Sequence, residues 1–186
     1  MNSDNRHISL PFTPEIVQSL RAGDRLLLSG ELLTARDAAH KRLVETLEAG
    51  GDLPTNLQDA TIYYTGPSAT PPGRVIGSAG PTTAYRMDPY CEPLLKAGIR
   101  AMIGKGEKGK DVQCLLEKYG AVYCAAIGGA GAYLSERILS SEVIAYTDLG
   151  PEAIHRLAVR DFPVVVVQDA YGGNEYHKVR VAGKNR

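Results

Sequence analysis

The sequence predicts an α/β fold, a mainly parallel sheet with flanking helices. Short apolar segments of strand character alternate with segments of helical periodicity between residues 25 and 167, as in proteins with a parallel sheet. The last apolar segment, Phe162–Val167, contains the run of valines typical of a strand buried on both faces. A chain of 186 residues, 44% of them hydrophobic, suits a single domain, 1–186, with an ordinary core.

The predicted elements follow one another without a dividing linker. The strands are predicted over Arg25–Leu33, Ala60–Thr65, Arg74–Gly77, Ile99–Ile103, Ala121–Ile127, Glu142–Thr147 and Phe162–Val167. The helices are predicted over Ala35–Ala49, Asp88–Ala97, Lys108–Tyr119, Ala132–Leu139 and Pro151–Val159. The alternation of the two kinds of element favours βαβ units.

Cap and turn residues justify these boundaries in chain order. Thr34 is a candidate N-cap for the first helix, and Gly50 begins the glycine pair that ends it. Residues 66–73 hold too many glycines and prolines for a regular element. Asp88, with a proline directly after it, is the predicted N-cap of the second helix, and Gly120 ends the third.

Charge and hydropathy limit the classes of partner. Lys and Arg together number 21, as do Asp and Glu, so the chain lacks the overall basic field of a nucleic-acid-binding protein. The basic tail, residues 178–186, is expected to be a solvated end. An apolar run of 18 residues and a signal-peptide h-region are both absent from the sequence, which predicts a cytoplasmic protein that makes no membrane contact.

The three cysteines are predicted to be structural. Cys91, Cys114 and Cys124 have the spacing of no zinc motif, and an odd number cannot pair fully within one chain. We expect buried, free thiols in a reducing compartment.

Two glycine-containing segments resemble nucleotide-binding loops. Gly104–Asp111 nearly matches a P-loop, but Asp111 stands where a hydroxyl would bind Mg²⁺ and would repel the phosphates. Gly129–Leu134 begins like a Rossmann fingerprint and has Asp148 about 20 residues further on, but Leu134 replaces the third glycine. A stand-alone nucleotide-binding protein is therefore the alternative interpretation of the chain.

The loop Gly77–Asp88 carries the parts of an anion site. Its glycines allow close backbone approach, Thr82 and Thr83 supply hydroxyl groups, and Arg86 supplies a planar guanidinium suited to carboxylate or phosphate. The predicted helix start adds positive potential. The residues alone leave open a turn with a surface arginine, and also a non-catalytic anion-binding module.

Six segments of the sequence share a pattern with one known protein family. They are Leu28–Arg42 (LSGELLTARDAAHKR), Tyr63–Pro67 (YYTGP), Gly77–Pro81 (GSAGP), Gly80–Asp88 (GPTTAYRMD), Ile103–Gly106 (IGKG) and Arg160–Tyr176 (RDFPVVVVQDAYGGNEY). In these segments the chain resembles the beta subunit of iron–sulfur-dependent fumarate hydratases and tartrate dehydratases. The likeness covers roughly residues 10–177.

The resemblance implies a swivelling β/β/α domain and the reversible addition or removal of water at a C4 dicarboxylate. Fumarate and malate are the first expectation for the substrate, and tartrate is the next. The resemblance also implies an α₂β₂ assembly in which a separate alpha subunit holds the catalytic [4Fe–4S] cluster. The present chain would contribute no cluster ligand.

The resemblance also implies the roles of individual residues. Arg36 and Arg86 would bind the substrate carboxylates, and Lys105 would complete the cationic pocket. Thr82 would exchange the proton of the substrate C–H bond. Because a threonine hydroxyl is a weak acid and a poor base, this role would require nearby cations to stabilise its alkoxide.

Three neighbouring residues have open roles. Asp37 could orient the Arg36 guanidinium or could only cap the helix. His40 lies one helical turn after Arg36 and could face the site, although a packing or surface role is also consistent with its position. In the family a glycine often follows the threonine pair, where this chain has Ala84 and Tyr85. The bulky Tyr85 could shape the pocket or point into a subunit interface.

Overall fold

The computed structural model describes residues 5–178. Its strands are Arg6–Ser9 (β1), Arg25–Thr34 (β2), Thr61–Tyr63 (β3), Ala101–Gly104 (β4), Val122–Ala125 (β5), Ile138–Ala145 (β6) and Ile154–Gln168 (β7). Its α-helices include Pro14–Ser19 (α1), Asp37–Glu48 (α2), Cys91–Lys96 (α3), Lys110–Tyr119 (α4) and Gly131–Ser135 (α5). Two 3₁₀ segments, Ala84–Tyr90 and Thr147–Glu152, precede α3 and β7.

The sheet is mixed, with mostly parallel strands, and it closes on itself. Strands β1 to β5 pair in parallel, each with its neighbour in the chain. The long strand β7 runs antiparallel to β2, β5 and β6. Because β7 pairs with both β2 and β5, the strands β2, β3, β4, β5 and β7 form a small barrel. The predicted α/β class with flanking helices is confirmed.

The core has two apolar layers on opposite faces of this sheet. Alternate residues of β3 show the division, because Tyr63 belongs to the inner cluster and Ile62 to the outer one. Inside the barrel, the rings of Tyr63 and Phe162 pack edge to face with centroids 5.2 Å apart. Outside it, Leu43 of α2 and Leu116 of α4 pack against the sheet. The sheet therefore separates the interior of the barrel from the helices, with an apolar layer on each of its faces.

The prediction of a helix over Pro151–Val159 is wrong. Residues 154–159 form the first half of β7, where they pair with β6 on one side and with β2 on the other. Ile154 and Leu157 are at helical spacing, but both are buried from an extended backbone. Asp161, with φ of 49°, marks an irregular point before the valine run that was predicted as a separate strand.

Other boundaries also differ from the prediction. Thr34 is not an N-cap, because it ends β2 and its buried hydroxyl accepts a hydrogen bond from the His155 backbone N–H at 2.9 Å. Arg74–Gly77 forms no strand and belongs to a loop whose Ile76 packs in the inner apolar cluster. Asp88 lies inside a 3₁₀ segment instead of capping a helix. Helix α5 ends at Ser135, so β6 starts earlier than predicted.

The helices α2 and α4 are confirmed within two residues at each end. Gly120 ends α4 in the left-handed conformation with φ of 60°, as a C-terminal glycine commonly does. The prediction missed β1 and α1, although Thr13 gives α1 a side-chain N-cap on the Ile16 N–H and Pro14 occupies its first turn. None of the helices in the described range is long and apolar enough to cross a membrane.

The cysteines are free, but only two of them are buried. Cys91 and Cys124 lie in the core, and burial raises the pKa of Cys124 to about 12. Cys114 is exposed on α4, so the prediction of three buried thiols is wrong for this residue. Of the predicted basic tail, only Lys178 lies within the described residues.

Candidate functional site

The predicted site residues lie at one edge of the sheet, where the parallel strands β2, β3 and β4 end. Arg36 comes two residues after β2 and forms the N-terminus of α2. Lys105 directly follows β4. The loop that carries Thr82 crosses the end of β3, where the Thr82 N–H donates to the Tyr64 carbonyl at 2.7 Å. In α/β proteins with open sheets and with barrels alike, ligands commonly bind at the carboxyl ends of the parallel strands.

Thr82 and Lys105 are held together by their backbones. The Lys105 N–H donates to the Thr82 carbonyl at 3.0 Å, and the Ala84 N–H donates to the Lys105 carbonyl at 2.8 Å. A Cβ on Gly104 would lie 2.9 Å from the Tyr64 ring and 3.3 Å from the Thr82 carbonyl, so only glycine lets the loop approach β4 this closely. Both side chains are available for a ligand, since the Thr82 hydroxyl has no hydrogen-bond partner and Lys105 no ion pair among residues 5–178.

Asp37 lies between the two arginines. Its Oδ2 is 2.8 Å from Arg86 Nη2 and 3.6 Å from Arg36 Nε. Both Asp37 Oδ2 and Arg36 Nε are buried atoms that make no hydrogen bond within the described residues, so these contacts are ion pairs of imperfect geometry. One carboxylate thus links two guanidinium groups that come from different elements. Of the two predicted roles of Asp37, the structure gives it the contact with Arg36.

Arg36 has a second acidic partner, and its side chain packs closely against Gly66. Its Nη2 lies 3.3 Å from Oε1 of Glu152, at the end of the 3₁₀ segment before β7. A Cβ on Gly66 would come within 2.8 Å of Arg36 Nη1 and 2.9 Å of the Pro151 carbonyl. Sequence reasoning missed Glu152, because the segment around it was predicted as a helix and no local pattern indicates its partner.

Lys108 supports the segment that carries Arg86. Its fully buried ammonium group lies 2.8 Å from Asp88 Oδ1 and 3.3 Å from both the Ala84 carbonyl and Cys91 Sγ. These partners lie in the 3₁₀ segment Ala84–Tyr90 and at the start of α3. Lys108 is therefore a structural residue, and its role was hidden in the P-loop-like segment of the sequence.

His40 packs in the core below Arg36 and does not reach the site surface. It is 1% exposed, its Nδ1 donates to the Arg36 carbonyl at 3.1 Å, and its ring packs edge to face on Tyr64. Desolvation by burial lowers the pKa of His40 to about 4. The packing interpretation of His40 therefore agrees with the structure.

The two loops that resemble nucleotide sites have other tasks. In the P-loop-like segment, the Gly109 N–H at the start of α4 already donates to Asp88 Oδ2 at 2.8 Å, so a protein carboxylate occupies the place of a phosphate. In the Rossmann-like segment, a Cβ on Gly131 would lie 2.4 Å from Ser78 Oγ and 2.9 Å from the Gly80 N atom. This glycine serves close packing against the anion-site loop.

The positions of the three cysteines do not suit ligands of an iron–sulfur cluster. Cys124 belongs to the inner apolar layer, Cys91 to the outer one, and Cys114 to the surface of α4. Burial raises the pKa of both buried thiols, whereas a cluster ligand is a thiolate. Among residues 5–178, no group of three or more His, Cys, Asp or Glu side chains could hold a metal ion.

Tyr85 is exposed at the tip of the site loop. It also lines a surface cavity of about 550 Å³ with Asp88, Gln113 and Cys114. The ring is therefore free to meet either a ligand or another protein surface.

Fold and site together define an α/β domain that brings Arg36, Arg86 and Lys105 to the carboxyl ends of its parallel strands. The chain belongs to the Fumarase C-terminus family, whose family model matches residues 1–179. This membership confirms the resemblance found in the sequence.

Similar proteins include enzymes and an enzyme subunit. The chain is 39% identical over 171 residues to "Fumarate hydratase 1, mitochondrial" of Leishmania major, covering 89% of this chain and 31% of the relative. It is 40% identical over 157 residues to "Fumarate hydratase class I, anaerobic" of Escherichia coli, covering 83% of this chain and 29% of the relative. It therefore spans about three-tenths of the length of these hydratases.

One relative has nearly the same extent as this chain. "Putative L(+)-tartrate dehydratase subunit beta" of Methanocaldococcus jannaschii is 37% identical over 173 residues, which cover 90% of this chain and 89% of the relative. The same kind of domain thus occurs both as a part of long chains and as a chain of its own.

Proposed function

We propose that this chain is the beta subunit of a hydro-lyase that reversibly hydrates a C4 dicarboxylate. The observation that carries the proposal is the pairing of Arg36 and Arg86 around Asp37, beside the joined backbones of Thr82 and Lys105. Arg36, Arg86 and Lys105 come from segments that adjoin the backbone of Thr82, and we infer that together they bind a small dianion, in a chain whose net charge is zero. Fumarate and malate are the proposed substrates, with tartrate as the second choice.

In this proposal Arg36 and Arg86 bind the two carboxylates and so fix the carbon that gains or loses a proton. Lys105 adds positive charge beside the hydroxyl of Thr82. In dehydration, the Thr82 alkoxide takes the proton from the carbon next to a carboxylate and becomes a hydroxyl. The electron pair of the broken C–H bond forms the C–C double bond as hydroxide leaves from the adjacent carbon, and the Thr82 proton then passes to that hydroxide to give water. Hydration reverses these steps. Such positioning can lower a barrier by roughly 7–11 kcal/mol in the best cases.

A partner chain is part of the proposal. The long hydratases contain about 70% of their length outside the region that matches this chain, and one relative carries the name of a beta subunit. We infer an alpha subunit that holds a [4Fe–4S] cluster, in an α₂β₂ assembly in which this chain forms the swivelling β/β/α domain. The cluster would supply a Lewis acid for the hydroxyl group of the substrate. A reducing cytoplasm suits the free thiols of this chain.

An anaerobic purification of the tagged chain from its own cells tests this proposal. We expect a larger partner, iron, and conversion of fumarate to malate in the eluate. A chain that purifies alone, without iron or hydratase activity, would contradict it.

Arg86→Ala should then lower kcat/KM of the complex by about 100-fold, because one carboxylate loses its charged partner. Arg42→Ala is the matched control, since Arg42 pairs with Asp148 on the outer side of α2 and should leave kcat/KM unchanged.

A nucleotide-binding protein is disfavoured by the occupied Gly109 N–H and the tightly packed Gly131. We expect that neither ATP nor NAD raises the melting temperature of the chain.

A further inference from the structure

We propose that Glu152 is a positioning residue for the Arg36 guanidinium. The inference rests on the proposed function, in which Arg36 binds a substrate carboxylate. It adds a residue from outside the segments in which the sequence indicated the site. Glu152 ends the 3₁₀ segment between β6 and β7, more than 100 positions after Arg36 in the chain.

The two carboxylate oxygens of Glu152 have separate partners. Oε2 accepts a hydrogen bond of 2.7 Å from the Ala38 N–H, in the first turn of α2. Oε1 lies 3.3 Å from Arg36 Nη2. One carboxylate therefore ties the side chain of Arg36 to the backbone of the helix that Arg36 begins. Both side chains are about three-quarters buried, with Glu152 24% and Arg36 26% exposed.

The backbone that carries Glu152 is itself fixed to β2. The Ala153 carbonyl accepts from the buried Thr34 hydroxyl at 3.3 Å, and the Ala153 N–H donates to Gly150. The adjoining Pro151 carbonyl forms one side of the narrow space at Gly66 through which Arg36 passes. Glu152 thus acts from a rigid position, which a residue needs if it is to orient another side chain.

The other acidic neighbour of Arg36 is Asp37, which cannot orient the guanidinium alone. Asp37 lies farther from Arg36, at 3.6 Å, and is closer to Arg86, at 2.8 Å. Without Glu152, the guanidinium of Arg36 would keep one loose ion pair to a carboxylate shared with another arginine. We expect it then to sample several orientations, which lowers the fraction of chains ready to bind substrate.

The direction in which substrate binding changes when Glu152 is replaced distinguishes a positioning role from competition between Glu152 and the substrate for Arg36. A carboxylate beside an arginine can also compete with the substrate for it, and its removal would then strengthen binding. Glu152→Gln keeps an oxygen that can accept from the Ala38 N–H, but it removes the charge that attracts Arg36. If Glu152 positions Arg36, this variant should weaken substrate binding.

The test uses the complete enzyme with its partner subunit, and measures kcat and KM for malate together with urea unfolding. Asp148→Asn is the matched control, because Asp148 lies in the same 3₁₀ segment and also binds α2, through Arg42 at 2.8 Å. Glu152→Gln should lower kcat/KM roughly tenfold, mainly through KM, since misplaced binding groups cost one to two orders of magnitude. Asp148→Asn should leave kcat/KM within twofold of the parent, and urea unfolding checks that both variants remain folded under the assay conditions.

Each outcome decides one claim. A KM that is unchanged or lower in Glu152→Gln overturns the positioning role, as does an equal loss of kcat/KM in Asp148→Asn. Arg36→Ala distinguishes this failure from failure of the proposed function. If Arg36→Ala retains full kcat/KM, Arg36 binds no substrate and the proposed function of this site fails. If Arg36→Ala abolishes activity while Glu152→Gln does not alter it, only the positioning role is wrong.

Discussion

Replacing Asp88 by asparagine should destabilise the domain more than replacing Lys108 by methionine, although the two residues form one ion pair of 2.8 Å. The Lys108 side chain is 0% exposed, whereas that of Asp88 is 22% exposed. Asp88→Asn leaves a fully buried ammonium without its counter-charge, which should cost about 3–5 kcal/mol. Lys108→Met leaves a carboxylate that reaches water and still accepts from the Gly109 N–H, so about 1–3 kcal/mol is expected.

Urea unfolding followed by circular dichroism measures this difference. With an m-value of about 2 kcal/mol/M, Asp88→Asn should lower the midpoint by roughly 2 M. The double variant, Asp88→Asn with Lys108→Met, removes both charges of this pair and should be more stable than Asp88→Asn alone. The reasoning is refuted if Lys108→Met is the more damaging change, or if the two effects simply add.

Three further predictions concern protonation, thiol exposure and proton transfer. Because the pKa of His40 falls from 6.5 to about 4 on folding, the unfolded chain binds a proton at His40 below pH 6.5 that the folded chain does not bind. With respect to this group, the fold is therefore most stable above pH 6.5 and loses stability as the pH falls towards 4. The free energy of unfolding should drop by about 3 kcal/mol over this range, and His40→Gln should lack this part of the slope. A thiol reagent should modify Cys114 in the native chain and reach Cys91 and Cys124 only in denaturant, so a native count of three reactive thiols would contradict the structure. Thr82→Val should abolish turnover of the complete enzyme while a non-reacting dicarboxylate still binds; near-normal turnover would exclude Thr82 as the proton-transfer group.

The α/β class could be predicted because it depends on local signals. Helix α4 has its apolar spacing and its terminal Gly120 within one short segment, and the strands of the barrel are short apolar runs. The first half of β7 could not be predicted in this way. Its conformation depends on pairing with β2 and β6, which override the local helical spacing of Ile154 and Leu157.

The residues of the candidate site likewise fall into two groups, those that local sequence signals indicate and those that only the fold brings to the site. Arg86 and Thr82 lie in a loop whose composition already indicates an anion site, and the family resemblance adds Arg36 and Lys105. Charged partners from distant segments leave no such signal. Glu152 meets Arg36 only because the chain reverses direction before β7, and no spacing along the sequence encodes that contact.

The closure of the barrel by β7 has a consequence for how the chain folds during synthesis. The residues of β7 pair with those of β2 across roughly 120–140 positions, from Leu33 with Arg156 to Arg25 with Val165. At about 5–20 residues per second, β2 emerges from the ribosome roughly 6–30 seconds before its partner. During this time the apolar inner faces of the early strands have no closing wall, and long-range pairing of this kind is intrinsically slow. Nascent chains of this protein should therefore depend on chaperones until residue 168 has emerged.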